Sequence, residues 1–286
     1  MKEVVVLSGK GGTGKTSIVG SFAALAKSKV LADCDVDASD LHLLLQPTVR
    51  EERQFWSGRV AVIDGEKCTR CGLCQELCRF KAIDDFRIDA VSCEGCGFCE
   101  YICPAEAITM KDNLAGHWFI SDTIYGTLVH ARLGIAQENS GKLVAMVRQQ
   151  ARQVAENQEA NFIISDGPPG IGCPVISSLS GASLALLVTE PTLSGIHDLE
   201  RVLGVCRHFN TQALVCINKY DINEDNTHRI ENYCLGRGTK VAARIPFDNA
   251  VTEAMIQGVP VVEYARNGVS QRIEALWELV LKSLNG

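Results

Sequence analysis

Val4-Val5-Val6-Leu7-Ser8-Gly9-Lys10-Gly11-Gly12-Thr13-Gly14-Lys15-Thr16-Ser17 joins an apolar β-branched run to a glycine-dense loop that ends in a lysine and two hydroxyls. The loop has the spacing G-x4-G-K-[ST]. It lies between a predicted strand at residues 3–7 and an amphipathic stretch at 17–27 that reads as a helix. Phosphate binding follows physically. Gly9, Gly11, Gly12 and Gly14 let backbone N–H groups, including those of Thr13 and Ser17, converge on phosphate oxygens at a helix N-terminus. Lys15 can neutralise the outer phosphates, and the Thr16 hydroxyl can complete a Mg2+ shell.

Beyond the loop, apolar strands alternate with helical stretches. Strands are expected at 29–32, 161–165, 183–189, 213–218 and 240–244, with a hairpin at 117–131, a long helix at 141–157 and an amphipathic C-terminal stretch at 270–284. Pro47 and Phe55-Trp56 fall in a segment that reads as irregular. Such alternation implies an α/β fold with a mostly parallel sheet covered on both faces. With 286 residues, 46% of them hydrophobic, the chain suits one large domain plus a small insert. The large domain is expected at 1–63 and 113–286, the insert at 64–112. No apolar run reaches the roughly 20 residues that span a bilayer, nothing at the start resembles a signal peptide, and a soluble protein of a reducing, cytoplasmic compartment is expected. A net charge of -6 with no basic stripe argues against nucleic acid as a partner.

The insert holds eight of the thirteen cysteines in two matched runs, Cys68, Cys71, Cys74, Cys78 and Cys93, Cys96, Cys99, Cys103, the second followed by Pro104. Each run reads C-x2-C-x2-C-x3-C, the signature of bacterial ferredoxins with two [4Fe-4S] clusters, in which the fourth cysteine of each run ligates the other cluster. The expected ligand sets are Cys68, Cys71, Cys74, Cys103 and Cys93, Cys96, Cys99, Cys78. Zinc sites and disulfides are the competing readings; the third cysteine, the three-residue gap and Pro104 fit a cluster better than tetrahedral zinc, and a reducing compartment disfavours disulfides. A shift of 25 residues maps Gly72 onto Gly97 and Ala82-Ile83 onto Ala107-Ile108, a pseudo-twofold module, with Arg79 standing where the other half has Pro104. Ile83 and Ile108 are candidates to shield the clusters from water.

With Lys10, the loop Lys10-Gly11-Gly12-Thr13-Gly14-Lys15-Thr16 resembles the deviant Walker A loop of the MinD, ParA, Mrp and nitrogenase iron protein family. The resemblance implies an ATPase that closes as an ATP-sandwich homodimer, with Lys10 reaching the partner subunit's nucleotide. Asp33-Cys34-Asp35-Val36-Asp37 resembles switch I, so that Asp35, with Asp37 as runner-up, orients the attacking water. Residues 163–170 resemble the Walker B and switch II segment, with Asp166 on Mg2+ and Gly167 and Gly170 giving the loop freedom. Ile217-Asn218-Lys219 and Ile245-Pro246-Phe247-Asp248 resemble the segments that contact adenine, through the amide of Asn218 and the ring of Pro246. Over nearly its whole length the chain resembles the MinD-superfamily ATPases with an inserted ferredoxin domain, on residues 138–143, 166–174 and 189–192.

The remaining cysteines are Cys34, Cys173, Cys206, Cys216 and Cys234. Four read as small buried hydrophobes. Cys173 lies where the nitrogenase iron protein has a cluster ligand, but the second cysteine of that bridging site has no counterpart at 135–141. Three functions are compatible with these motifs. One is an ATP-gated electron carrier serving an unidentified redox partner; the second is an iron-sulfur assembly or carrier ATPase, disfavoured by the lack of a C-terminal C-x-x-C pair. The third is a MinD-type positioning ATPase with a redox-sensing insert, whose membrane form would need a more basic tail than 270–284 offers.

Overall fold

The computed structural model describes residues 1–134, 140–266 and 268–285. They form two compact units: Met1–Glu52 with Trp118–Arg132 and the chain from Ser140 onward, and Arg53–His117 with the described part of 133–139. The second unit takes in the expected insert 64–112 together with more of the strands that lead into and out of it.

In chain order the strands are β1 (Lys2–Ser8), β2 (Lys29–Asp33), β3 (Thr48–Ile63), β4 (Ile83–Asp84), β5 (Arg87–Ile88), β6 (Ile108–Thr123), β7 (Gly126–Leu133), β8 (Phe162–Pro169), β9 (Leu184–Thr189), β10 (Ala213–Asn218) and β11 (Lys240–Ile245). The helices are α1 (Lys15–Leu25), α2 (Leu41–Leu45), α3 (Leu73–Leu77), α4 (Phe98–Ile102), α5 (Ser140–Asn157), α6 (Cys173–Leu179), α7 (Leu193–His208), α8 (Glu224–Leu235), α9 (Asn249–Gln257), α10 (Val261–Tyr264) and α11 (Gly268–Asn285). The main sheet runs β11-β10-β9-β1-β8-β2-β7-β6-β3. Every pairing from β11 to β7 is parallel.

The central strands read as continuous apolar runs because both faces are covered. On one face α1 and α11 pack Phe22 and Trp277 against each other with ring centroids 4.8 Å apart. On the other, Val175 and Leu179 of α6 and Leu199, Val202 and Leu203 of α7 lie on Val5 and Leu7. The C-terminal helix spends Ile273, Leu276, Trp277 and Val280 on this core. No described helix is long and apolar enough to cross a membrane.

One segment departs from expectation. Residues 48–63 form a strand rather than an irregular stretch. β3 lies at the sheet edge; its first half carries Arg50, Glu51, Glu52 and Arg53, mostly exposed, and lacks the alternation of a half-buried strand, whereas Phe55, Ser57 and Ala61 further on are buried. Charge on an edge strand discourages pairing with foreign strands.

His130 of β7 has a folded pKa lowered to about 4, by burial first and then by the charges of His42 and Arg132. Its ring lies 2.9 Å from the Ser121 hydroxyl and stacks on Phe119. Between that value and the ordinary 6.5 the unfolded chain binds the extra proton, so this contribution to stability is lost as pH falls from 6.5 toward 4. We expect His130→Gln, which keeps a partner for Ser121, to flatten the loss between pH 7 and 4.5 by about 2 kcal/mol in urea denaturation compared with the parent. Parallel pH profiles would contradict this.

Candidate functional site

The glycine loop connects β1 to α1. Gly12 and Gly14 are left-handed, at φ 77° and 91°, and a Cβ on Gly14 would lie 2.4 Å from Asn218 Nδ2. Lys15 is buried at 6% exposure, and its ammonium lies 3.7 Å from Asp35 Oδ2. The Thr16 hydroxyl donates to Asp166 Oδ2 at 2.7 Å, whereas Asp166 Oδ1 is buried with no hydrogen-bond partner in the protein. β8 lies between β1 and β2 in the sheet, so the loop, Asp35 and Asp166 meet at the carboxyl ends of three adjacent strands. Ligand sites of open parallel sheets form there.

Burial raises the Asp166 pKa to about 6, opposed by Lys15 and the Thr16 hydrogen bond. Asp35 is raised by burial and held down chiefly by Lys15. Asp33 is fully buried and raised further, by burial and then by the charge of Asp166. It accepts from the Ser39 hydroxyl at 2.6 Å and from the Leu41 N–H at 3.3 Å, so it shapes the segment. Asp37 is exposed. The unpaired Asp166 Oδ1, with the Thr16 hydroxyl on the other carboxylate oxygen, is chemically suited to contact a divalent cation.

Lys10 has partners that the motif alone did not reveal. Its ammonium sits 2.5 Å from Glu190 Oε1, 3.3 Å from Thr192 Oγ1 and 3.2 Å from Ser194 Oγ, just beyond β9. The other Glu190 oxygen faces Lys219 at 3.4 Å, and Lys219 also donates to the Gly12 carbonyl at 3.2 Å. Burial alone would raise the Glu190 pKa, but Lys10 and then Lys219 outweigh it and hold the carboxyl below the usual range. The complementary charges of Lys10, Glu190 and Lys219 were visible in sequence; their convergence depends on β9 lying beside β1. Gly9 is likewise pressed by α7, since a Cβ there would lie 2.2 Å from Asp198 Cβ.

One expected role changes. Gly167 is buried within β8, where a Cβ would meet Leu7 Cδ2 at 2.4 Å and Val6 O at 2.8 Å; it permits close strand packing, and only Gly170, at φ 92° in open space, has the freedom of a hinge. We expect Gly167→Ala to cost about 1–3 kcal/mol of stability, seen as a lower urea midpoint. Asn218 spends its amide inside the chain: Nδ2 donates to Thr13 O at 2.8 Å, and Oδ1 accepts the Lys219 N–H at 3.0 Å. Pro246 is half-buried, and the next residue, Phe247, donates its N–H to Asp221 Oδ1 at 2.7 Å.

The second unit repeats its backbone as well as its cysteines. α3 and α4 begin after Gly72 and Gly97, at φ 85° and 75°, and Arg70 and Gly95, Lys81 and Glu106 form matching left-handed pairs. A Cβ on Gly95 would lie 2.2 Å from the Arg59 carbonyl oxygen. The Ala82 N–H donates to Cys78 Sγ at 3.4 Å and the Ala107 N–H to Cys103 Sγ at 3.3 Å. Ile83 and Ile108 are buried together with Ala61 and Met110. A cavity of about 300 Å³ is lined by Cys78, Cys93, Cys96 and Cys99, with Cys74 also on its wall. A smaller one, about 20 Å³, is lined by Cys68, Cys71, Cys74 and Cys103. Among the described residues no three His, Cys, Asp or Glu side chains converge on a point suited to a single metal ion.

All thirteen thiols are free. Cys34, Cys206, Cys216 and Cys234 are buried as expected, whereas Cys173 is exposed, with its Cβ 3.0 Å from where one on Gly141 would lie. The stretch 135–139, including Glu138 and Asn139, lies outside the described residues.

Fold and loop together define a P-loop nucleotide-binding protein built on a mostly parallel sheet. The chain belongs to the CobQ/CobB/MinD/ParA nucleotide binding domain family (CbiA), whose model matches residues 4–261. It is 33% identical to the uncharacterized protein MJ0578 of Methanocaldococcus jannaschii over 96% of this chain and 95% of that one. It is 24% identical to the septum site-determining protein MinD of Bacillus subtilis over 93% of this chain and 84% of the relative. The fold is similar to that of MinD from Pyrococcus horikoshii, solved with Mg-ADP, at a TM-score of 0.59 and 18% identity over 98% of this chain and 95% of that one.

Proposed function

We propose that this chain is an ATP-hydrolysing switch of the MinD type that carries two [4Fe-4S] clusters and couples its nucleotide state to electron transfer with a redox partner protein. The observation that carries the reading is the cysteine arrangement: each of the two cavities is lined by one of the crossed ligand sets. Cluster ligands stand farther apart than the ligands of one ion, in keeping with thiols that ring a cavity without converging. Cys68, Cys71, Cys74 and Cys103 would hold one cluster and Cys93, Cys96, Cys99 and Cys78 the other; bound there, each supplies one-electron transfer. The N–H groups of Ala82 and Ala107 are aimed at the sulfurs of Cys78 and Cys103, and Ile83 and Ile108 limit water.

In the nucleotide site Thr16 and Asp166 would hold Mg2+, which fits the unpaired Asp166 Oδ1 and supplies charge neutralisation at the phosphates. Lys15 binds the phosphate oxygens, Asp35 orients water, and Lys10 exchanges Glu190 for the nucleotide of a second subunit when an ATP-sandwich homodimer closes. The test is ATP hydrolysis by anaerobically prepared holo protein with the clusters oxidised and then reduced, with iron content and EPR on the same samples. A rate that changes with redox state supports coupling; protein that binds no iron, or rates equal with a partner extract present, would defeat it.

Likeness to MinD over most of both chains favours a second reading, a positioning ATPase in which the insert senses redox state. The two share the nucleotide switch and differ in output. ATP-dependent binding to anionic vesicles would favour positioning, although the apolar face of α11 is already committed to the core.

A further inference from the structure

Glu3 lies near the start of β1, about 20 Å of extended strand before Gly9, so whatever gathers around it is at the far end of the sheet from the phosphate loop. Two arginines one turn apart on α5 share its buried carboxylate. Arg148 donates from Nε to Glu3 Oε1 at 2.6 Å, and Arg152 from Nη2 to Glu3 Oε2 at 2.7 Å. Arg148 also donates from Nη1 to the carbonyls of Ser177 and Ser180, which closes the C-terminal end of α6. Its Nη2 has no partner among the described residues, although the side chain is only 5% exposed. A donor buried in this way costs stability until an acceptor reaches it. Both arginines stand on the wall of an open cleft of about 790 Å³ between α5 and α6.

We propose that this cleft binds a small monocarboxylate with an apolar body, its carboxylate held between Arg148 and Arg152. The planar headgroup matches the fork of a guanidinium. Charge selects a single negative unit: two guanidiniums against the one carboxylate of Glu3 leave one positive charge, and Glu156, a turn beyond Arg152 on the same wall, opposes a second. A phosphate dianion is therefore the poorer fit. Arg152, 40% exposed, makes the entry contact, and Arg148 Nη2 gains the acceptor that the protein does not give it. The rest of the wall supplies the place for the body, since Ala145, Ile176 and Phe209 put apolar surface in the same cleft. Apolar lining with a few fixed polar groups is the usual make-up of a small-molecule site. The site stands apart from the nucleotide switch and does not rest on it.

The test is titration of the full-length, anaerobically prepared protein with 4-fluorobenzoate, followed by fluorine NMR, with 4-fluorobenzamide as a neutral probe of the same shape. Expected is a Kd of about 1 mM or tighter for the acid, within reach of its roughly ten non-hydrogen atoms, and binding of the amide at least about tenfold weaker. Arg152→Gln leaves Glu3 paired with Arg148 and should weaken the acid to the level of the amide. Ile176→Glu, at a position 40% exposed and outside the ion pairs, should weaken it at least as much by placing a negative charge in the cleft. Absence of binding at tenfold that concentration, equal affinity for acid and amide, or an acid affinity that both substitutions leave unchanged would overturn the proposal. Displacement of the acid by an equal concentration of inorganic phosphate would overturn it too, by showing a site for anions at large.

Discussion

Replacing Lys15 with alanine is expected to lower ATP hydrolysis by about 10²- to 10³-fold or more, the scale of losing one preorganised charge contact at a reacting centre. Lys15 is almost wholly buried between the loop and Asp35, so its ammonium is desolvated before substrate arrives and interacts more strongly with phosphate than a surface lysine would. The same change frees Asp35 and Asp166 from their main opposing charge, and their pKa values should climb further above the usual carboxylate range. Lys15→Arg separates charge from fit: it keeps the cation but does not reproduce the compact ammonium, so weak hydrolysis with retained folding is expected. A Lys15→Ala protein that hydrolyses ATP within tenfold of the parent would show that the loop does not carry the chemistry.

The second large effect concerns the crossed cysteines. If the chain holds the two proposed clusters, Cys78→Ser alone should remove about half of the iron, by disabling the site it would share with Cys93, Cys96 and Cys99. Combining it with Cys96→Ala tests the crossing directly. If Cys78 serves the same cluster as Cys96, the double variant retains the other cluster and about half of the iron. If Cys78 serves Cys68, Cys71 and Cys74, both clusters are damaged and little iron remains. Iron and acid-labile sulfide per chain, with the EPR of the reduced protein, distinguish the two.

Most of the frame could be read from residues because parallel strands buried on both faces leave continuous apolar runs, as in Val4 to Leu7 and Leu184 to Val188. β3 escaped notice for the opposite reason: its first half, residues 48–54, buries no side chain on either face, and such an edge segment has no periodicity to detect. The phosphate loop and the cysteine spacing are local patterns, and local patterns survive without a structure. The grip of Glu190 on Lys10, the pressure of Leu7 on Gly167 and the tether from Asn218 to Thr13 are contacts across the sheet order. They depend on β9 and β8 flanking β1, which no spacing along the chain expresses.

The tilted ring contact between Trp277 and Phe22 gives the C-terminal helix a mechanical bearing on the phosphate loop. Phe22 lies two turns beyond Lys15 on the helix whose first residues close the loop, and Ile273, Leu276 and Val280 brace the same helix from behind. A protease that trims the last helix would therefore silence nucleotide binding without touching a residue of the pocket, and a fusion partner attached there loads the strut that keeps the cradle in shape.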